Sequence, residues 1–403
     1  MAWFLPSFAL GQPLQWNALL LFGGLLLLGL IGGHLVSRSP WVPRITGYLL
    51  VGLLLGQGGL NWLSGDVLQM TAIFSDVAMA LVVYQLGRYV DIGWLLREKW
   101  MLAIVATSSL LCFVFVSGAL RMFGATSVLA LLGGVLAIAT SPAVVIVVLR
   151  DLKAEGQVTR RLAAMTALNN CIALLAAYAL LPLIATESGT SAWTLFAHTL
   201  YSLVGAFALA YLVYWVMAPL ARLLGRRRSS QFVLVIAIIT LAIGAAHALN
   251  LPVMLTMLFF AILSKNLDRQ YDIMELEFGV ANDLFMVMLF VTMGASIRFS
   301  DLTVVGVSVV LLVAARFLAM GCGVFLFARF ARMNWRQAGL LTLGTLPMTE
   351  AGLGLMQTAF TLYPNTTADM VPLLAGCLVV LELLGPVATQ FALIKSGESG
   401  RES

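Results

Sequence analysis

Charged residues are scarce in this chain. Asp, Glu, Lys and Arg make up 10% of its 403 residues, against about a quarter in an ordinary soluble domain. That scarcity excludes a soluble protein with a charged coat. Histidine occurs three times and cysteine four times. Cys112, Cys171, Cys322 and Cys377 fall in separate apolar runs, without CxxC or His/Cys spacing. They predict neither a disulfide nor a zinc site, and read as small packing residues. The N-terminal stretch MAWFLPSFALGQPLQWN has no basic region, so no cleaved signal peptide is expected. No basic segment is long enough to suggest nucleic acid. Nor does the sequence hold a nucleophile–base pair, a metal-ligand cluster or a phosphate loop in credible context, so neither an enzyme nor a cofactor is expected.

What the chain has in abundance is apolar length. Hydrophobic residues make up 61% of it, and the mean hydropathy is +1.00. A membrane-crossing helix needs about 20 apolar residues. Hydropathy predicts an all-α membrane protein with thirteen spans, near 15–37, 43–61, 70–92, 100–123, 126–150, 157–186, 194–224, 231–248, 250–266, 280–297, 302–331, 335–358 and 368–396. Of the 23 basic residues, 20 lie in or beside alternate connections, while Arg121 and Arg298 sit on the other side and Arg316 lies inside a span. By the positive-inside rule this places the N-terminus outside and the C-terminus in the cytoplasm, in a plasma membrane of bacterial inner-membrane type. The net charge of +5 then needs no acidic partner. The short tail after the last span predicts no soluble regulatory domain. The acidic, amphipathic stretch 267–279 reads as a surface linker between two halves.

Two spans are interrupted at comparable places. The fifth carries Thr140, Ser141 and Pro142 at its middle, and the twelfth carries Thr345, Pro347, Thr349 and Glu350. Proline removes a backbone hydrogen bond and frees a carbonyl. Inside a membrane that is tolerated only against protein or a water-filled cavity. Interruptions at matching positions of two halves point to a transporter binding site. In the sixth span Thr166, Asn169, Asn170 and Ala173 share one helix face. Two asparagines in mid-membrane want partners, either a cation on their oxygens or hydrogen bonds across helices.

Few ionisable residues lie within the spans. Asp76 and Asp283 fall near span ends, where an interfacial cap is as good a reading as function. Glu382, beside Gly385 and Pro386, reads as a packing partner. Arg316 and Glu350 are deeper, and a charge at mid-bilayer costs at least about 2.5–3.5 kcal/mol on insertion scales. Both are therefore assigned to the transport site. His34, His198 and His247 read as interfacial. Gly52 and Gly56 form a GxxxG spacing that reads as close helix packing.

In order along the chain, these segments resemble the monovalent cation:proton antiporter superfamily, in its sodium/proton and potassium-efflux exchanger branch. ITGYLLVGLLLGQGGL looks like the family's second span. LVVYQLGRYVDI looks like the end of its third, with Gln85 where an acidic residue is common. ATSPAVVIVVLRDLKAEGQVTRR is similar to the broken span and the basic loop after it. LFMVMLFVTMGASI resembles the span that opens the second half of the core. The resemblance implies inverted repeats with two crossed discontinuous helices and a homodimer. It also implies a transport core near 70–186 and 280–358, sliding on a scaffold near 15–61, 194–266 and 368–396. The family's sixth span carries Asp–Asp or Asn–Asp, whose second acid binds ion and proton. Here the pair is Asn169–Asn170, and Asn170 has no titratable group. Arg316 stands where relatives place a basic residue that can pair with that acid. Glu350 is the residue left to neutralise Arg316 or to take the proton.

The leading expectation is antiport of sodium or potassium against protons by alternating access, with an altered ion site. Its site residues are Thr140, Ser141, Asn169, Asn170, Arg316 and Glu350, with Pro142 and Pro347 as helix breakers. One alternative is a sodium-coupled symporter of a small organic anion, held by Arg316 and half-helix ends. Another is a non-transporting, exchanger-like membrane subunit or sensor.

Overall fold

A computed structural model describes residues 18–63, 65–185, 192–225, 228–268, 279–297, 306–349 and 371–400. Among these residues the fold is all-helical, with fifteen helices and one isolated β-bridge. In chain order they are α1 (Ala18–Val36), α2 (Arg44–Leu55), α3 (Gly65–Gly87), α4 (Ile92–Arg97), α5 (Lys99–Met122), α6 (Ser127–Ile138), α7 (Pro142–Asp151), α8 (Gln157–Ala185), α9 (Ala192–Leu224), α10 (Arg228–Ala248), α11 (Val253–Leu267), α12 (Gly279–Ala295), α13 (Gly306–Ala328), α14 (Trp335–Gly344) and α15 (Val371–Ser396). Seven are long and apolar enough to cross a membrane, and five shorter stretches are also apolar. Large apolar side chains such as Leu27 on α1 and Phe196, Tyr211 and Trp215 on α9 face outward. That is the arrangement expected where lipid is the solvent.

Local chemistry sets several helix ends. Asp91 caps α4 by accepting a hydrogen bond from Trp94 N at 2.9 Å. Asn334 and Gln337 form a reciprocal capping box at the start of α14. The glycine-rich end of the second predicted span does not stay helical. After Leu55 the chain turns back on itself, with Leu60 N donating to Leu54 O at 2.7 Å. The predicted linker lies almost wholly outside the described residues.

The helices pack in two groups. One holds α1, α2, α3, α9, α10, α11 and α12; the other holds α5 to α8 with α13, α14 and α15. α15 lies against α14, α7 and α13, whereas α3 and α12 pack on each other and on α1, α2, α10 and α11, with α3 also meeting α7 and α8, and α8 meeting α9. The reason is close backbone approach. Gly385 of α15 sits so near Pro347 that a Cβ there would lie 2.6 Å from the proline Cβ. Gly52 seats α2 on α12, where a Cβ would lie 2.0 Å from the Val291 carbonyl oxygen, and Gly56 does the same one turn on at Ala295. The GxxxG spacing thus serves intramolecular packing. Ser75 and Thr292 share a hydrogen bond of 2.9 Å between α3 and α12. Within the second group, Gly323 lets α13 approach the Ser108 backbone of α5.

Candidate functional site

The fifth predicted span is two helices rather than one kinked helix. α6 ends at Ile138, residues 139 to 141 run on outside the helices, and α7 begins at Pro142. Proline disfavours helical geometry at the residue before it, so Ser141 takes an extended conformation. At the first helical position Pro142 itself loses nothing, because that N–H would have no helical partner. Ser141 caps α7 by accepting from Val144 N at 3.3 Å. In the twelfth predicted span a helix likewise stops short of a proline. α14 stops at Gly344, Thr345 Oγ donates to Thr342 O at 2.8 Å, and Pro347 follows. Glu350 and the rest of that span lie outside the described residues.

The two breaks meet. Thr140 and Met348 pair as an antiparallel bridge, and Ser141 N donates to Pro347 O at 3.0 Å. Two extended segments thus satisfy each other's backbone groups where no helix can, as the membrane interior demands. The C-terminal ends of α6 and α14 converge there, each the negative end of a helix dipole.

Arg316 of α13 occupies that convergence and is 2% exposed. Its Nε donates to Ala137 O at 2.8 Å and its Nη1 to Leu346 O at 2.7 Å. Its Nη2 donates to Ala139 O at 3.1 Å and to Pro347 O at 3.5 Å. Cys112, expected to be plain packing, also donates to Ala137 O, at 3.2 Å. Among the described residues, then, the guanidinium donates to carbonyl oxygens rather than to a carboxylate. The expected conflict, in which Arg316 needs an acid or else repels a cation, is eased by four carbonyl dipoles.

Asn169 and Asn170 face the same break from α8, and both are fully buried. Asn170 Nδ2 donates to Thr140 O at 2.6 Å and to Thr166 O at 2.8 Å. Turning this amide would set its oxygen against two carbonyl oxygens, so its orientation is determined. Asn170 Oδ1 is left buried without a hydrogen-bond partner. Asn169 donates to Thr140 Oγ at 3.4 Å and accepts from Ser109 Oγ at 3.3 Å. The structure thus brings Thr140, Ser141, Asn169, Asn170, Arg316, Pro142 and Pro347 together. Sequence reasoning missed Ser109 and the Ala137, Ala139 and Leu346 carbonyls. Ser109 and Cys112, three residues apart on α5, were the available signal. The backbone carbonyls had none. A neutral, buried amide oxygen without a hydrogen-bond partner suits a monovalent cation and no titration.

Two other ionisable candidates have partners elsewhere. Asp283 pairs with Arg150 at 2.5 Å, and Asp76 lies 3.6 Å from His247. Glu382 is 2% exposed in α15.

The profile of the sodium/hydrogen exchanger transmembrane family matches residues 21–395. A Na(+)/H(+) antiporter of Enterococcus hirae is 24% identical over 337 residues, covering 81% of this chain and 85% of its own length. The sodium proton antiporter of Methanocaldococcus jannaschii has a similar fold. Its structure at pH 8 matches with a TM-score of 0.68 at 19% identity, covering 94% of this chain and 95% of that one. An electron-microscopy structure of the same antiporter matches with a TM-score of 0.73 at 16% identity, covering 96% and 99%.

Proposed function

The chain belongs to the sodium/hydrogen exchanger family, and from that premise we propose that it exchanges a monovalent cation, sodium or potassium, for protons across a membrane by alternating access. The observation that carries this reading is the crossing of two broken helices with a buried, unpartnered amide oxygen beside it. Asn170 Oδ1 is the cation's protein ligand in this reading. Ser141 and Asn169 hold the break in shape. Arg316 gathers the carbonyl oxygens of both helix ends and keeps the crossing closed. Because Asn170 cannot exchange a proton, a carboxyl elsewhere in the core carries it.

The group holding the crossing, α5 to α8 with α13 to α15, is the moving unit in this reading. The other group is the scaffold, and it forms a homodimer. In this reading the N-terminus is outside and the C-terminus in the cytoplasm of a bacterial-type plasma membrane, which the basic residues of alternate connections support.

The test is proton flux in proteoliposomes carrying an internal pH dye. Adding sodium or potassium outside should move protons outward and raise the internal pH. A dye response equal to that of protein-free liposomes with both cations would overturn antiport. Sodium-driven uptake of an organic anion without proton movement would replace it with symport.

A further inference from the structure

We infer that Ser109 is a positioning residue of the cation site, which it serves through Asn169 rather than by touching the cation. This rests on the antiport reading above, in which Asn170 Oδ1 is the ligand. It names the group that leaves that oxygen open while its neighbour's is taken.

Two identical amides lie side by side on α8, and their partners tell them apart. Asn170 Nδ2 is spent on the carbonyls of Thr140 and Thr166, and Asn170 Oδ1 is buried without a hydrogen-bond partner. Asn169 is engaged at both ends. Ser109 Oγ donates to its Oδ1 at 3.3 Å, and its Nδ2 donates to Thr140 Oγ at 3.4 Å. A hydroxyl can donate or accept, so this chain of hydroxyl, amide and hydroxyl is satisfied in either direction. In both directions the Asn169 oxygen is taken. Without Ser109 the amide keeps one partner, and whichever end meets Thr140 leaves the other unpaired.

The consequence reaches the ligand through Thr140. That residue lies in the first break, bridged to Met348, and α8 holds it twice: by its hydroxyl through Asn169 and by its carbonyl through Asn170. A loosened Asn169 therefore loosens the carbonyl against which Asn170 is set. A ligand that is less well fixed beforehand binds more weakly.

The neighbours of Ser109 supply a contrast. Serine and threonine within a helix can turn the hydroxyl back on a carbonyl three or four residues earlier. Ser108 does so, donating to Val105 O at 3.1 Å, and Thr166 does the same to Leu162 O at 2.8 Å. Ser109 is buried and instead reaches across from α5 to α8. Its own helix is fixed there by other contacts. Cys112 donates to Ala137 O at the end of α6, and Gly323 of α13 abuts the Ser108 backbone. A helix held on both sides in this way can aim one hydroxyl at Asn169.

The experiment titrates sodium against proton flux in proteoliposomes for wild type, Ser109→Ala, Ser109→Thr and Ser108→Ala, with folding checked by melting temperature. In Ser109→Ala the half-saturating sodium concentration should rise about two- to tenfold, the worth of one hydrogen bond, with the maximal flux unchanged. Ser109→Thr keeps the hydroxyl, and the Ser108 hydroxyl serves its own helix, so Ser109→Thr and Ser108→Ala should keep the wild-type value. Adding Ser109→Ala to Asn169→Ala should weaken sodium binding no further, because the hydroxyl acts through that amide. The sodium-induced rise in melting temperature reads this even where transport is lost. Four results would each overturn the inference while leaving antiport standing: an unchanged or lower half-saturating concentration in Ser109→Ala, a lowered melting temperature there without a change in that concentration, a Ser109→Thr protein as weak as Ser109→Ala, or a further loss in the double variant. A wild type without cation-driven flux would overturn the antiport reading itself, and the inference with it.

Discussion

Asn170 Nδ2 donates to the carbonyl oxygen of Thr140 at 2.6 Å, joining the middle of one helix to the break in another. Asn170→Asp would replace a donor by an acceptor against the carbonyls of Thr140 and Thr166. An ionised aspartate there has no donor in that direction, so a bound cation must compensate. We expect sodium to raise the melting temperature of Asn170→Asp more than that of wild type at alkaline pH, with the gap closing in acid. An identical sodium effect in both proteins would show that position 170 does not meet the cation.

Arg316 satisfies carbonyl oxygens at both breaks, so its removal orphans several buried acceptors at once. Arg316→Ala is expected to cost about 3 kcal/mol or more, since hydrogen bonds to charged groups contribute about 1.5–3 kcal/mol each. Arg316→Lys restores charge without the planar fork and should fall between the two in thermal stability. A lysine variant as stable as wild type would mean that charge alone, without the fork, holds the crossing.

Gly323 faces the Ser108 backbone, and a Cβ on it would lie 2.3 Å from Ser108 Cα. Gly323→Ala must push α13 away from α5. Overpacking of this kind costs about 1–3 kcal/mol. Because Arg316 lies two turns earlier on α13, the same change should lower transport in proportion. A fully active, fully stable Gly323→Ala would contradict this packing.

Glu398 reaches back from the end of the chain to the start of α8, accepting from Val158 N at 2.9 Å and Thr159 N at 2.7 Å. It satisfies helix-start donors that have no helical partner. Gly156, at φ +158, leaves room for it where a side chain would collide with the carboxylate. Glu398→Ala should cost about 0.5–2 kcal/mol, the usual worth of a helix cap. Gly156→Ala should lower the melting temperature through the same contact.

Arg150 of α7 and Asp283 of α12 form an ion pair between the two helix groups. Their side chains are 32% and 56% exposed, so the pair contributes at most about 1 kcal/mol to stability. Asp283→Asn should leave the melting temperature nearly unchanged. If the groups move past one another, it should alter the transport rate and make that rate less salt-dependent.

Much of this molecule is local, and local features are legible in a sequence. Apolar runs longer than the bilayer is thick become helices because no other backbone satisfies its hydrogen bonds there. Pro142 and Pro347 mark the breaks because the proline ring crowds the residue before it and disfavours helical geometry there. The shared face of Asn169 and Asn170 follows from helical period alone. The family too was legible, since its signals lie in order along one chain.

What the sequence could not disclose is what each element meets. Arg316 looked like a charge in need of an acid, because carbonyl oxygens carry no letter in a sequence. Its partners Ala137 and Leu346 are 179 and 30 residues away, and only the crossing of α6 and α14 aims their carbonyls at it. Hydropathy says that the helix over 371–396 is buried, not against what; the contact of Gly385 with Pro347 sets that, through a shape match between two backbones. The burial of Glu382 is likewise a property of the assembled bundle, since packing decides which neighbours shut out water.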